Sequence, residues 1–378
     1  MKLFDVYSLL DMEPVKAQGA YLWDKAGQEY LDFYGGHAVI SIGHTHPHYV
    51  EKISEQLSKI GFYSNAVINS LQVELAEKLG ALSGYDDYSL FLCNSGAEAN
   101  ENALKLASFT TGRERVLAMR SAFHGRTSLA VTVTDNPNIQ APVNKTDKVS
   151  FIPFNDAEAF RKELSSREYA AVIVEPIQGV GGIQVATDEF MLAAREACDA
   201  TGTMLIADEI QAGYGRSGKF FSHQWSGVKA DIITLAKGIG NGFPIGAVMI
   251  SPSIPAKKGM LGTTFGGSHL ACAAAIAVAD VVKAENLVEN ARVMGEKIME
   301  GIAGVSGVKD IRGRGLIIGI DLSVPQADFR KVLREKHHIM TGLTGQYTLR
   351  LLPPLMIGQT EVDRFIEVFR ATAQEMGM

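Results

Sequence analysis

The sequence predicts an α/β fold, with a large unit on a mainly parallel central sheet and a smaller α+β unit. Three observations predict it. Short apolar runs at 170–174, 204–207 and 232–236 each end abruptly in a charged residue, Glu175, Asp208 and Lys237. Strands buried on both faces of a parallel sheet read this way. Helical patterns alternate with these runs, as crossover helices must. From about residue 284 the pattern changes to short strands between longer helices, which places a boundary near 280. The expected division is 1–45 as an N-terminal segment joining the small unit, 46–280 as the large domain and 281–378 as the small domain.

In chain order, residues 21–33 read as a hairpin around the Lys25-Ala26-Gly27 turn. The run His44-Thr45-His46-Pro47-His48 invites a metal reading. However, alternate residues share no helical face and no acid or cysteine joins them, so no metal site is expected. Pro47 instead suits the first turn of a helix over 49–60. A second amphipathic helix follows at 72–82. The strand at 88–93 runs into Asn94-Ser95-Gly96-Ala97-Glu98-Ala99-Asn100 and a helix at 101–108. After a strand at 116–119, the loop Ser121–Thr127 brings out Phe123, His124 and Arg126 beside Gly125. Pro176 stops the strand at 170–174, and Gln178-Gly-Val-Gly-Gly182 makes a loop behind it. A helix at 190–200 precedes the strands ending at Asp208 and Lys237. A glycine-rich turn at 238–246 leads into the strand 247–250. Helices at 270–284, 286–302, 328–336 and 361–375, with strands at 308–312, 316–320 and 348–352, complete the chain.

Composition excludes several classes of function. Of the 378 residues, 46% are apolar and 21% charged, with a net charge of −6. No basic tract recommends a nucleic-acid partner. The N-terminus has an early acid and no apolar core segment, and the longest apolar stretch is broken by Asp280. Neither a signal peptide nor a membrane span is expected. Cys93, Cys198 and Cys272 are scattered singly and read as reduced, buried thiols of a cytoplasmic protein.

The chemistry gathers at one sheet edge. Ligands of open α/β sheets bind beyond the carboxyl ends of the strands, where Asp208 and Lys237 fall. An acid and an amine delivered together suit a pyridoxal phosphate (PLP) enzyme. The lysine carries the cofactor and the carboxylate keeps the pyridine nitrogen protonated. The Ser95-Gly96 turn between strand and helix is a ready anion site for its phosphate. Phe123 could cover a planar ring, and Arg126 could grip a carboxylate. Gly213–Lys219 mimics a phosphate-binding loop, but Phe220 stands where a Ser or Thr would coordinate magnesium, and no helix pattern follows.

Read together, these segments resemble class III (ω-) aminotransferases of PLP fold type I, the aspartate aminotransferase-like fold. The resemblance covers essentially the whole chain. It is carried in order by Tyr21-Leu-Trp-Asp, Gly43-His-Thr-His-Pro, Asn94-Ser-Gly-Ala-Glu-Ala-Asn, Phe123-His-Gly-Arg-Thr and Glu175-Pro-Ile-Gln-Gly. Asp208-Glu-Ile-Gln-Ala-Gly-Tyr-Gly-Arg-Ser-Gly, Leu235-Ala-Lys-Gly, Thr264-Phe-Gly-Gly and Arg350-Leu-Leu-Pro-Pro-Leu follow. It implies that Lys237 holds the cofactor and shuttles a proton, while Asp208 pairs with the ring nitrogen. Gln211 would lie near the ring's phenolic oxygen and Phe123 would stack on its face. Ser95, Gly96 and Ala97 would bind the phosphate. Thr264 would reach the phosphate in the neighbouring subunit, which implies a homodimer with active sites at the interface.

Within the class, the resemblance is to acylornithine aminotransferases, with an N-acetyl- or N-succinylornithine donor and 2-oxoglutarate as acceptor, in arginine biosynthesis. Free ornithine, 4-aminobutyrate or another ω-amine is the alternative donor. Arg126, Arg350, Glu175 and Tyr7 would form the substrate pocket. Two departures stand out. Val180 occupies the position where many relatives carry a glutamate that masks the arginine matching Arg350, so another acid or a substrate carboxylate is expected to compensate. Ser268-His269 replaces the Asn-Pro common in relatives.

Overall fold

The structure is a computed structural model describing residues 1–378. Its centre is a seven-stranded sheet in the order Ser89–Cys93, Gly246–Ile250, Ile232–Leu235, Met204–Asp208, Tyr169–Val174, Arg115–Met119, Val149–Ile152. Gly246–Ile250 runs antiparallel to both neighbours, and the other pairs are parallel. Tyr169–Val174 and Ile232–Leu235 are buried along their whole length. That explains their unbroken apolar sequence, since helices cover both faces of the sheet.

A second seven-stranded sheet joins the two ends of the chain. Pro14–Gln18, Tyr21–Asp24 and Glu29–Phe33 continue into Ile339–Thr344, Thr348–Leu351, Ile317–Leu322 and Val308–Arg314. The seam is the parallel pairing of Glu29–Phe33 with Ile339–Thr344. Phe33 stacks on Phe365 of the last helix with ring centroids 4.5 Å apart, which fixes the N-terminal strand against the C-terminal layer.

The helices follow the sequence pattern with one instructive shift. The helix expected at 101–108 begins at Gly96 and runs to Thr111. The Ser95 side chain accepts a hydrogen bond from the Glu98 amide (3.2 Å), so this polar stretch is the capped first turn rather than a loop. Ser268 does the same for the helix His269–Ala284, accepting from the Ala271 amide at 3.3 Å. A capping role therefore accounts for serine at that position.

The phosphate-loop mimic has another purpose. Arg216 is buried, and its Nη1 donates to the carbonyls of Leu316 (3.0 Å) and Pro353 (2.7 Å), while Nη2 donates to Ile40 (3.2 Å). The segment thereby bolts the first sheet's loops to the second. The histidines near Pro47 face separate acids: His44 with Asp32 (2.9 Å), His46 with Glu285 (2.9 Å) and His48 with Asp280 (3.3 Å). No helix is long and apolar enough to cross a membrane.

Candidate active site

Parallel pairing puts Asp208 level with Thr234, three residues before Lys237, so both charges emerge at the same sheet edge. Asp208 is 4% exposed and firmly held. Its Oδ2 accepts from His124 Nδ1 (2.7 Å) and Asn100 Nδ2 (2.8 Å), and its Oδ1 from the Ile210 amide (3.1 Å). Asn100 is fixed in turn by the Thr234 hydroxyl, which donates to its Oδ1 at 2.7 Å. Sequence reasoning assigned no role to Asn100 or Thr234. Both become visible only when the helix Gly96–Thr111 is laid across the sheet.

Lys237 has φ of 51° and starts a short 3-10 turn after its strand. Such backbone strain in a bulky residue accumulates at functional sites. Burial lowers its amine pKa, opposed by the charges of Asp208 and Glu175. Its ammonium makes no ion pair, which leaves the amine available to a ligand.

Lys237 and Asp208 line a cavity of about 250 Å³ with Gly96, Ala97, Phe123, His124, Arg126, Glu175, Val180 and Gln211. Ser95 lies just before its first helical residues and caps that turn, so the first-turn amides of Gly96 and Ala97 stay open to a phosphate. A Cβ on Gly125 would come within 2.7 Å of the Ala97 Cβ, so the two backbones need glycine to approach this closely. Gln211 Oε1 is buried without a partner, as an amide awaiting a ligand would be. A Cβ on Gly179 would sit 1.7 Å from that oxygen. An unpaired amine, a pinned carboxylate, an open helix N-terminus and an orphaned amide oxygen fit the donors and acceptors that PLP requires.

Glu175, expected in the substrate pocket, has both carboxylate oxygens on backbone. Oε1 accepts from the Phe123 amide (2.9 Å) and Oε2 from the Gly179 amide (3.1 Å). Burial raises its pKa to about 7, with the nearby Asp208 charge adding to the rise and His124 opposing it. It thus links the aromatic wall to the loop that carries Val180.

Arg126 is exposed at the cavity mouth, whereas Arg350 is 4% exposed. Of the two compensations expected for Arg350, the chain's own acid is the one corrected here, because no carboxylate of the chain pairs with it. Its Nη1 donates to the Gly179 carbonyl at 2.9 Å, and its Nε is buried without a partner. Arg350 thus makes its side-chain hydrogen bond to a backbone carbonyl, which no sequence search for an acid can find. Two neighbours extend this clamp. Thr344 donates to the Val180 carbonyl, and Arg312 Nε donates to that of Gly182 (2.8 Å). Tyr7 is 78% exposed on the N-terminal segment, and Thr264 is exposed beside Phe265; neither lines the cavity of a single chain.

Comparison with known proteins places this geometry. Residues 6–372 match the family model described as aminotransferase class-III. The chain is 40% identical over 357 residues to the acetylornithine aminotransferase of Methanosarcina mazei, covering 93% of this chain and 89% of that one. Among solved structures it is similar to the ornithine aminotransferase of Toxoplasma gondii, with a TM-score of 0.91 and 29% identity, covering 98% of this chain and 92% of that one. It is also similar to the acetylornithine aminotransferase of Elizabethkingia anophelis, with a TM-score of 0.86 and 32% identity, covering 98% and 95%.

Proposed function

The chain belongs to the class III aminotransferases, and from that premise we propose that it moves the δ-amino group of an N-acylated ornithine, acetyl or succinyl, to 2-oxoglutarate. The products are the semialdehyde and glutamate, a step of arginine biosynthesis. The observation that carries the donor assignment is the likeness to acetylornithine aminotransferases along nearly the whole of both chains. The structural likeness to an ornithine aminotransferase favours free ornithine as the second reading.

Pyridoxal phosphate, when bound, supplies a protonated pyridine ring that takes up the electrons released as a substrate C–H bond breaks. The chain's residues do the rest. Asp208, anchored by His124, Asn100 and the Ile210 amide, would keep the proton on the ring nitrogen through its opposite charge. Lys237 would hold the cofactor and then move a proton, and its burial favours the neutral amine which that work needs. Phe123 would cover the ring, Gln211 would face the phenolic oxygen, and Ser95, Gly96 and Ala97 would hold the phosphate at the helix N-terminus. Arg126 takes the donor's α-carboxylate at the mouth, and Arg350 the second carboxylate of glutamate or 2-oxoglutarate. Glu175 serves the pocket by positioning Phe123 and Gly179.

The same reading makes the enzyme a homodimer. Phe62, Tyr63, Ile68 and Phe265 are exposed apolar side chains, and Phe62 and Phe265 pack into one surface with centroids 5.2 Å apart. Asn65 and Gln72 tie this surface to the carbonyls of Gly266 (3.0 Å) and Gly267 (2.9 Å). Thr264 stands on this surface, which supports its serving the neighbouring subunit's phosphate, and Tyr7 would reach a donor pocket across the same boundary. The two sheets support a division into a large unit at 46–280 and a small one from 1–45 and 281–378. Three free, buried cysteines support a cytoplasmic location.

A donor screen tests the proposal. The yellow holoenzyme, mixed in single turnover with N-acetylornithine, N-succinylornithine, ornithine and 4-aminobutyrate, should bleach fastest with an acylated ornithine. Equal or faster bleaching by ornithine would transfer the assignment to the second reading.

A further inference from the structure

Glu101 lies near the cavity and has no part in the chemistry described above. It is half-buried on the helix Gly96–Thr111, one turn beyond Ala97 and on the same face. A single oxygen, Oε1, accepts from the Thr127 hydroxyl (2.7 Å), the Leu129 amide (2.7 Å) and the Ala130 amide (3.1 Å). All of these donors follow closely on Arg126, whose guanidinium stands at the cavity mouth.

The same helix holds the chain on the other side of Arg126. Asn100 Nδ2 donates to the His124 carbonyl at 2.8 Å, and Gly125 lies against Ala97 so closely that a Cβ would meet it at 2.7 Å. His124, Gly125 and Thr127 are therefore all fastened to one helix. Between them the Arg126 side chain is exposed and pairs with no acid of the chain, Glu101 included. An ordinary helix cap does not explain this arrangement. Thr127 precedes the short helix Ser128–Thr132, where its own hydroxyl could accept from the first amides, yet it makes no such bond. The hydroxyl instead donates to Glu101, and the carboxylate takes the amides. The cap comes from another helix, and that helix begins at the phosphate site.

We propose that Glu101 is a positioning residue that sets the distance between Arg126 and the cofactor site, and through it the chain length of the amino donor. The helix serves as the ruler. Gly96 and Ala97 mark the phosphate end, and the anchor of the Arg126 loop lies one turn further, about 6 Å along the axis. A donor gripped by its α-carboxylate at Arg126 brings its far amine to the cofactor only when its methylene count fits that distance. One methylene more or fewer misplaces the amine by about 1 Å, an error that costs rate steeply.

This inference rests on the assignment of the donor's α-carboxylate to Arg126, and its test separates the two. Single-turnover bleaching of the holoenzyme is compared for three donors. They are N-acetylornithine, the longer Nα-acetyllysine, and N-acetylputrescine, which is N-acetylornithine without its α-carboxylate. Glu101→Ala should raise the half-saturating N-acetylornithine concentration about 10-fold and narrow its preference over Nα-acetyllysine by about 5-fold or more. N-acetylputrescine should change less than about 2-fold, since it makes no use of Arg126. Glu101→Gln keeps an acceptor oxygen and should lose less. Thr127→Val, which removes one donor and leaves the backbone intact, should show the same pattern in smaller measure even if Glu101→Ala fails to fold. Equal losses for N-acetylornithine and N-acetylputrescine, or an unchanged preference over Nα-acetyllysine, would overturn the proposal. Wild-type enzyme that uses N-acetylputrescine as well as N-acetylornithine would instead overturn the role of Arg126 on which the proposal rests.

Discussion

Asp208 is positioned before any ligand arrives, and its supports can be tested one at a time. Asp208→Asn removes the charge that keeps the ring nitrogen protonated and should lower kcat by at least about 100-fold, the scale of losing one preorganised electrostatic contact. Asn100→Ala leaves Asp208 charged but loosely held, so kcat should fall less, with little change in KM. Glu175 gives a pH prediction. Burial raises its pKa from the ordinary 4.5 to about 7. The folded protein therefore holds that proton more tightly than the unfolded chain. The stability it contributes is full below about pH 4.5 and is lost as pH rises through about 7. Glu175→Gln should flatten the decline in Tm between pH 5 and pH 8, and an unchanged slope would contradict the assignment. Asp208 and Lys237 were legible in the sequence because each ends an apolar run. The contacts that pin them were not, since Asn100 read there as the end of the polar turn before a helix and Thr234 as an ordinary strand residue.

At the scale of elements, the proposed phosphate site lies at the start of the helix Gly96–Thr111, which Ser95 caps. Ser95→Ala should cost about 1 kcal/mol of stability through the lost cap and weaken cofactor retention. Thermal melts of holoenzyme and cofactor-free protein measure the two effects separately. The sequence showed the strand, the turn and the helix, yet placed the helix start five residues late because its first turn is polar. The left-handed turn at Gly35–Ala38 was opaque for a related reason. Glycines announce such backbone, but His37 and Ala38 adopt it only because Asp32 and the second sheet impose it. The backbone clamp on Arg350 was likewise hidden, because every residue carries a carbonyl and only the fold decides which one is offered.

Across the whole molecule, the second sheet was the hardest part to read. Its N-terminal strands meet strands more than 300 residues later, and no local pattern announces a partner so distant. Buried runs, by contrast, made the first sheet legible strand by strand, apart from its half-buried edge at Val149–Ile152. The exposed apolar surface around Phe62 and Phe265 leads to a prediction about assembly. Phe265→Asp should shift the protein toward monomer by light scattering and lower activity together with cofactor retention. A dimeric, fully active variant would remove that surface from the interface. The account's central claim is that Lys237 and Asp208 run a PLP-dependent transfer of a δ-amine. Borohydride reduction of the yellow holoenzyme, followed by peptide mass analysis before and after bleaching with N-acetylornithine, tests it most directly. The account predicts cofactor fixed on Lys237 in the resting enzyme and none fixed there once the donor has reacted. Cofactor on another residue, or labelling of Lys237 unchanged by the donor, would contradict it.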